Sequence, residues 1–455
     1  MECLSGSCSS GGEIARAIAS EVVAPWVIVT VSGNGSKITV GNESAPSFNN
    51  RAVIQAFQYG QSNGSGCTIE IIDEEGGAFD KFFKKVVSDL ATANEKYVLK
   101  VQWGWTSSSC YSISQNLPKS KEHYFLITNV SIHIESNIKF ILEGTDLMIN
   151  SFDSRMNKIY GGSKKPMPLK DAIREVCKDA SPSIKNVKFL RKNPGGPPSE
   201  WEFNGNPQAV WPTMDRTLMS IIHEWISRYN TNKDKGITLA WDDTDPQGTL
   251  VLWEFSKDDI KAKKTYIVNG GECSPVIEFT TNIKWSFTNS ANVGGNADGK
   301  GSAANTINSN YSGAKTDKEK QVGVSIHKPT SEDKIRNQGS KEAAADTAKK
   351  NIINTRANTN YESIRGELRI QGDPTLDDPI ENRFFKVGLV VINPFNLSGD
   401  GCPEWLSTST CNETLSSQQW EASGVVHDIR QGSYTVSLQL FLPPQNSSGD
   451  TTLPK

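Results

Sequence analysis

The chain has 455 residues, of which 36% are hydrophobic, and carries a formal charge of −3 at pH 7. That length asks for about two to four domains, and the apolar share, below the roughly 45–50% of globular chains, with a mean hydropathy of −0.46, asks for long polar loops. A mildly acidic chain has no excess of cations to neutralise a duplex backbone. No run approaches the roughly 18 uninterrupted apolar residues of a membrane helix, so no membrane insertion is expected.

Residues 1–21 read as an N-terminal arm. Met1–Gly12 is Ser, Gly and Cys without a basic start or an apolar stretch, so it does not read as a secretory leader. The eight cysteines, Cys3, Cys8, Cys67, Cys110, Cys177, Cys273, Cys402 and Cys411, form no CxxC and no Cys/His run of zinc spacing. No metal and no cofactor is expected. Cys3 with Cys8, and Cys402 with Cys411, are near enough in sequence for loop disulfides in an oxidising medium, or stay free thiols in a reducing one.

Residues 22–150 read as a β-barrel with one helix. Short β-branched and aromatic runs recur at Trp26–Val31, Lys37–Val40, Val53–Tyr59, Cys67–Ile72, Tyr97–Trp105, Tyr124–Ser136 and Ile138–Leu142. Apolar and polar residues alternate through Thr68–Ile71 and Ser131–Glu135, the pattern of a sheet with one wet face. Ser32-Gly-Asn-Gly-Ser36 reads as a hairpin loop. In Gly77–Leu90 the side chains Phe79, Phe82, Phe83, Val86, Val87 and Leu90 recur at helical spacing.

Residues 151–260 read as an α+β module, with amphipathic helices in Leu169–Ala180 and Thr217–Tyr229. The Pro- and Gly-rich Lys192–Ser199 lies between them and can form neither helix nor central strand. Strands are expected at Gly236–Trp241 and Thr249–Phe255, with a small β unit at 261–288 containing Thr265–Val268 and Val276–Phe287. Residues 289–361 have the composition of a polar linker or arm, with an exposed helix expected at Lys341–Asn351. Strand character returns in a second barrel-like region, 362–445, at Gly366–Gly372, Phe384–Asn393, Trp420–Ile429 and Tyr434–Leu442. Residues 446–455 are a tail. The last two runs predict a hairpin turning at Gly432, with Val425, His427 and Ile429 on one face and Tyr434, Val436, Leu438 and Leu440 on another.

No arrangement of polar residues carries a catalytic pattern. Asp242, Asp243 and Asp245 with Glu254 offer carboxylates for glycoside hydrolysis or calcium, but the spacing lacks the glycine and distant Glu of a calcium loop, and Asp-Asp-Thr-Asp-Pro is turn chemistry. His223-Glu224 has Ser227, not His, four residues on, so it is not a zinc-protease helix. His427, within an apolar strand, reads as a packed structural histidine. Gly294–Gly299 does not open a helix after a strand and so is linker rather than phosphate cradle. Lys261–Lys264 reads as a solvated loop. The eleven Trp residues stand mostly beside expected strands, where core burial competes with interface or carbohydrate stacking as their explanation.

Three pieces of the C-terminal hundred residues, in order, carry a family resemblance: Gly366-Glu-Leu-Arg-Ile-Gln-Gly-Asp-Pro374, Phe384-Phe-Lys-Val-Gly-Leu-Val-Val-Ile-Asn-Pro394, and Trp420 to Leu438 with its Gly432-Ser-Tyr-Thr435 turn. The order resembles the baseplate hub proteins of contractile-tailed phages, the late-control D and T-even hub family, whose turn lacks the extra Ser found here. The resemblance implies a mainly β fold, two tail-tube-like β-barrels flanking an α/β insertion. It implies a non-enzymatic virion protein, assembled in the host bacterial cytoplasm, in which a homotrimer adapts a hexameric tail tube to a trimeric central spike. Implied partners are the tail tube or tube-initiator protein, the spike, baseplate wedge proteins and a tape-measure protein, with DNA passing through the lumen unbound. The rival readings are a spike-associated cell-wall-degrading glycosidase and a carbohydrate- or receptor-binding tail protein.

Overall fold

The computed structural model describes residues 23–45, 52–61, 65–73, 84–89, 96–107, 117–134, 137–162, 165–191, 199–200, 211–227, 235–256, 262–268, 274–283, 290–295, 303–308, 364–378, 386–391, 418–430 and 432–441. The chain divides into two compact units, Met1–Thr280 with Glu367–Leu440, and Thr281–Gly366 with Phe441–Lys455. In the second, β18 (Ser290–Gly295) and β19 (Ala303–Asn308) form an antiparallel hairpin inside what composition marks as linker. The expected helix at 341–351, the Lys192–Pro198 stretch and both cysteine pairs lie outside the described residues.

In the first unit, seven strands close a barrel: β1 (Val23–Gly33), β2 (Ser36–Gly41), β3 (Ala52–Gln61), β4 (Ser65–Asp73), β5 (Val98–Ser107), β6 (His123–Ile134) and β7 (Ile138–Asp146). Around the ring the order is β3-β2-β1-β5-β6-β7-β4, and β4 pairs back onto β3. All of these neighbours are antiparallel except β2 and β3, which touch in parallel through Gly41 and Val53. Alternation sends Val29, Val31, Phe57, Tyr59, Ile69, Ile71, Leu99, Val101, Trp103, Phe125 and Leu142 inward, each fully buried. The β1–β2 turn is made by Asn34 and Gly35 at φ 46° and 67°, the left-handed pair that a two-residue hairpin needs. The barrel is tight enough that a Cβ on Gly144 would stand 2.8 Å from Leu99 and Phe125.

Helix α1, residues 84–89, buries Val86 and lies by the β1–β2 hairpin, where Asp89 accepts hydrogen bonds from Tyr97 Oη and Asn34 Nδ2 at 2.6 and 3.0 Å. The earlier part of the expected helix lies outside the described residues.

The middle module holds a short helix α2 (Ile149–Phe152), α3 (Leu169–Asp179) and α4 (Leu218–Ser227), with two-residue strands β8 (Arg155–Met156), β9 (Ile159–Tyr160), β12 (Trp211–Pro212) and β13 (Arg216–Thr217). Its main sheet runs β11-β10-β15-β14, where β10 is Val187–Arg191, β11 Ser199–Glu200, β14 Lys235–Asp242 and β15 Thr249–Ser256. Ile173, Val176, Ile221, Ile222 and Trp225 recur at three- and four-residue spacing and pack with Leu239, Leu250 and Leu252 into one core.

A second, six-stranded sheet is built from β16 (Ala262–Val268), β17 (Val276–Ile283), β20 (Ile364–Gln371), β21 (Lys386–Val391), β22 (Gln418–Arg430) and β23 (Ser433–Phe441). Its order is β17-β20-β23-β22-β21-β16. The segment expected to stand apart as a small β unit therefore supplies two strands of this sheet. Lys264, expected in a solvated loop, sits in β16 and ion-pairs with the buried Asp373, because β16 runs beside the turn that follows β20. The expected hairpin at Gly432 is present, with both named sets of side chains buried.

Candidate functional site: the junction of the two barrels

Strand for strand, the second sheet repeats the first. Placing β16 on β2, β17 on β3, β20 on β4 and β21-β22-β23 on β5-β6-β7 matches the pairings β3–β4, β4–β7, β5–β6 and β6–β7 with β17–β20, β20–β23, β21–β22 and β22–β23. Among the described residues only β1 lacks a counterpart. In the first barrel β2 is antiparallel to β1, and β1 to β5, so β2 and β5 run the same way. With β1 removed they would meet in parallel, and β16 and β21 do pair in parallel.

The two repeats are joined edge to edge. The first part of β22 pairs with β21 through residues 418–421, and its second part crosses to β3, with Val425 opposite Gln61 and Arg430 opposite Ala56. The sheet thus continues from one barrel into the other, and neither strand leaves an open edge there.

A buried polar network pins this seam. His123, at the start of β6, has Nδ1 2.8 Å from Asp243 Oδ1 and Nε2 3.3 Å from Asp377 Oδ2. Asp243 comes from the β14–β15 turn of the middle module and Asp377 from the turn after β20, so three parts of the chain meet on one imidazole. Tyr59 Oη donates to Asp243 at 2.8 Å, and Gln61 Nε2 donates to the Asp377 carbonyl at 3.0 Å. Burial pulls the His123 pKa down, but the two carboxylates outweigh it and hold it up at about 9. The ring is therefore a cation at neutral pH, stacked on Trp103 at 4.9 Å.

His427 lies near it in the opposite state. Burial drives its pKa down to about 4 against the opposing pull of the Leu376 carbonyl and Asp377, and the cationic His123 adds a smaller push downward. A neutral ring gives a directional chain: Trp103 Nε1 donates to Tyr434 Oη at 2.9 Å, Tyr434 donates to His427 Nδ1 at 2.8 Å, and His427 Nε2 donates to the Leu376 carbonyl at 3.1 Å. Trp105 Nε1 donates to the Gly372 carbonyl at 3.0 Å. Burial also raises the Tyr59 and Tyr434 hydroxyls well above their ordinary range, so both remain donors.

Chemically this arrangement holds rather than reacts. His123 is fully buried, both its nitrogens face carboxylates, and a protonated imidazole offers no lone pair to a metal or a substrate proton. Among the described residues no group of three His, Cys, Asp or Glu is arranged to hold a metal ion. A polar cavity of about 390 Å³ lies elsewhere, on the face carrying Gln58, Glu278, Glu367, Arg369, Asp428 and Gln439.

The chain is similar to phage tail proteins. The 43 kDa tail protein of prophage MuSo2 from Shewanella oneidensis matches at 10% identity and TM-score 0.48, covering 92% of this chain and 98% of that one. A tail protein from Neisseria meningitidis matches at 12% identity and TM-score 0.48, over 91% and 96%. A type VI secretion system component of E. coli matches at 10% identity and TM-score 0.38, over 93% and 79%. No family model matches, and no curated protein matches.

The residues weighed in the sequence are scattered. Asp242 accepts from the Thr244 backbone and hydroxyl, and Asp245 from Gln247 N and Thr249 Oγ1, which is turn chemistry. Asp243 between them has the buried role. Half-buried Glu224 of α4 pairs with Arg216 of β13, and His223 beside it is exposed. Eight of the Trp residues, Trp26, Trp103, Trp105, Trp211, Trp225, Trp241, Trp253 and Trp420, are buried; Trp201, Trp285 and Trp405 lie outside the described residues. Sequence reasoning missed His123 and Asp377, since nothing near either of them in the sequence marks its partner. No helix among the described residues is long and apolar enough to cross a membrane.

Proposed function

We propose that the chain is a structural hub subunit of a contractile phage tail, a homotrimer that joins a hexameric tube to a trimeric spike. The observation that carries this reading is the strand-for-strand repeat. One chain holds two barrel-like modules side by side in one continuous sheet, so three chains present six near-equivalent modules while remaining three-fold in sequence. Such a ring matches six tube subunits on one face and three spike chains on the other. The tube or tube-initiator protein and the central spike are then its direct partners. Wedge proteins belong on its outside, and the tape-measure protein and DNA in its lumen.

The same geometry supports a non-enzymatic role. The seam's polar groups are buried and used up in holding the modules together, and the described tryptophans are core residues rather than sugar platforms. This favours an adaptor over a cell-wall glycosidase or a carbohydrate-binding tail protein. Native mass measurement of the chain mixed with its cognate spike tests the reading: a three-to-three complex is expected. A one-to-one complex, or clearing of a cell-wall suspension by the chain alone, would overturn it.

A further inference from the structure

The polar cavity on the outer face of the continuous sheet follows from the sequence of the second repeat. It lies across five neighbouring strands, β17, β20, β23, β22 and β3, and so spans the seam between the barrels. The middle strand, β23, turns Tyr434, Val436 and Leu438 into the core and by alternation sends Thr435 and Ser437 the other way. These short side chains make a floor. The longer Glu367 and Arg369 of β20, Glu278 of β17 and Asp428 of β22 stand around it, which leaves a trough.

The charges of this trough are left open. On the first barrel the strands corresponding to β20 and β23 are β4 and β7, and there Lys139 and Glu70 close on each other at 2.5 Å. In the trough Asp428 accepts from Arg430 Nε at 2.8 Å, whereas Glu278, Glu367 and Arg369 have no ion pair or hydrogen bond among the described residues. Thr435 is an independent sign. It is only 8% exposed and lines the cavity, yet its hydroxyl has no hydrogen-bond partner among the described residues. A buried hydroxyl without a protein partner, beside a polar space of about 390 Å³, calls for a ligand group there.

We propose that this trough binds a basic amino-acid unit, a lysine or arginine side chain together with an α-carboxylate. Once Arg430 has answered Asp428, two carboxylates and one guanidinium remain open. Glu278 and Glu367 take the cationic groups, and Arg369 takes the carboxylate as a two-pronged donor. Thr435 and Ser437 supply hydroxyls from the floor. A cation alone would leave Arg369 unanswered, and an anion alone would leave both glutamates so. The volume falls in the range of about 300–1,000 Å³ that holds small molecules. A free basic amino acid and the terminal residue of a partner chain present the same groups. The site stands independently of the hub reading.

Titration calorimetry of the full chain tests it with lysine, Nα-acetyl-lysine and cadaverine, which is lysine without its carboxylate. Lysine is expected to bind saturably, at one site per chain, and at least about tenfold more tightly than cadaverine. Arg369→Gln should bring lysine down to the level of cadaverine and leave cadaverine binding intact. The double variant Glu278→Gln with Glu367→Gln should weaken both at least about tenfold. Thr435→Val, which keeps the shape and removes the hydroxyl, should weaken lysine binding while the circular dichroism stays unchanged. Nα-acetyl-lysine binding as tightly as lysine assigns the site to a chain terminus, and weaker binding assigns it to the free amino acid. Lysine that does not bind saturably, cadaverine that binds as well as lysine, or an affinity indifferent to Arg369→Gln and to the double variant overturns the site and leaves the hub reading standing.

Discussion

The two barrels share a strand order and differ in how they manage their edges. The N-terminal one inserts β1 between β2 and β5, and with Trp26, Val27, Val29 and Val31 on that strand it closes on its own core. The C-terminal one lacks this strand, brings β16 directly against β21, and shows no β16–β17 pairing among the described residues. One repeat can thus stand by closure, whereas the other is held by what it touches: β3 at its edge, and the His123 network at its turn. A seam of this kind is a stronger commitment than a surface contact, because it leaves a buried cation if any one part is removed.

The largest expected effect follows from that. Asp243→Ala removes the main partner of a buried imidazolium and should cost about 3–5 kcal/mol, read as a fall in thermal midpoint. Hydrogen exchange should rise at both β3 and β22, uncoupling the repeats. If exchange rose only around the β14–β15 turn, the network would be a local feature of the middle module.

Next in size is the pH response, in which the two histidines act on opposite sides. His123 has a folded pKa raised to about 9 from 6.5, so its contribution is fully present below pH 6.5 and is lost as pH rises through 9. His427 has a folded pKa depressed to about 4, so its contribution is present above pH 6.5 and is lost as pH falls through 4. Each limb is on the order of 3 kcal/mol. Denaturant unfolding across pH 4–10 should give a maximum near pH 6–7. His427→Gln should flatten the acid limb and leave the alkaline one, and a variant that flattened both would contradict the separate charge states.

A smaller effect starts in the second repeat. A Cβ on Gly372 would come within 2.1 Å of the Tyr434 ring, so Gly372→Ala should cost about 1–3 kcal/mol through overpacking. Faster exchange in β22 and β23, and in β5 where Trp103 and Trp105 bond Tyr434 and Gly372, with β4 and β7 unchanged, is the expected pattern. Least of all, Lys139→Ala breaks a partly exposed pair with Glu70 on the closed barrel and should change stability by less than about 1 kcal/mol. A larger loss there would mean that the first barrel also leans on its surface charges.

Strands were the legible part of this molecule, because inward residues such as Ile69 and Ile71, or Val425 and Ile429, alternate with polar ones at a period only a sheet imposes. The Asn34-Gly35 and Gly432 turns were legible for the same local reason. Helices α3 and α4 followed from their apolar stripes. The seam was not legible. Asp243 lies 120 residues from His123 and Asp377 lies 254 away, and turn chemistry at Asp242 and Asp245 hid the buried carboxylate between them. Lys264 looked solvated because its partner, Asp373, is brought to it only by the strand order of the second sheet. Likewise β18 and β19 pair within a Gly- and Asn-rich stretch whose composition carries no strand period.

Electron microscopy of the purified chain, with particle averages analysed without imposed symmetry, decides whether three chains form a six-module ring. The expected particle holds three 49.8 kDa chains, and its inner ring shows six similar lobes within three-fold order. A ring with three lobes, or a particle in which the two repeats are far apart, would contradict it.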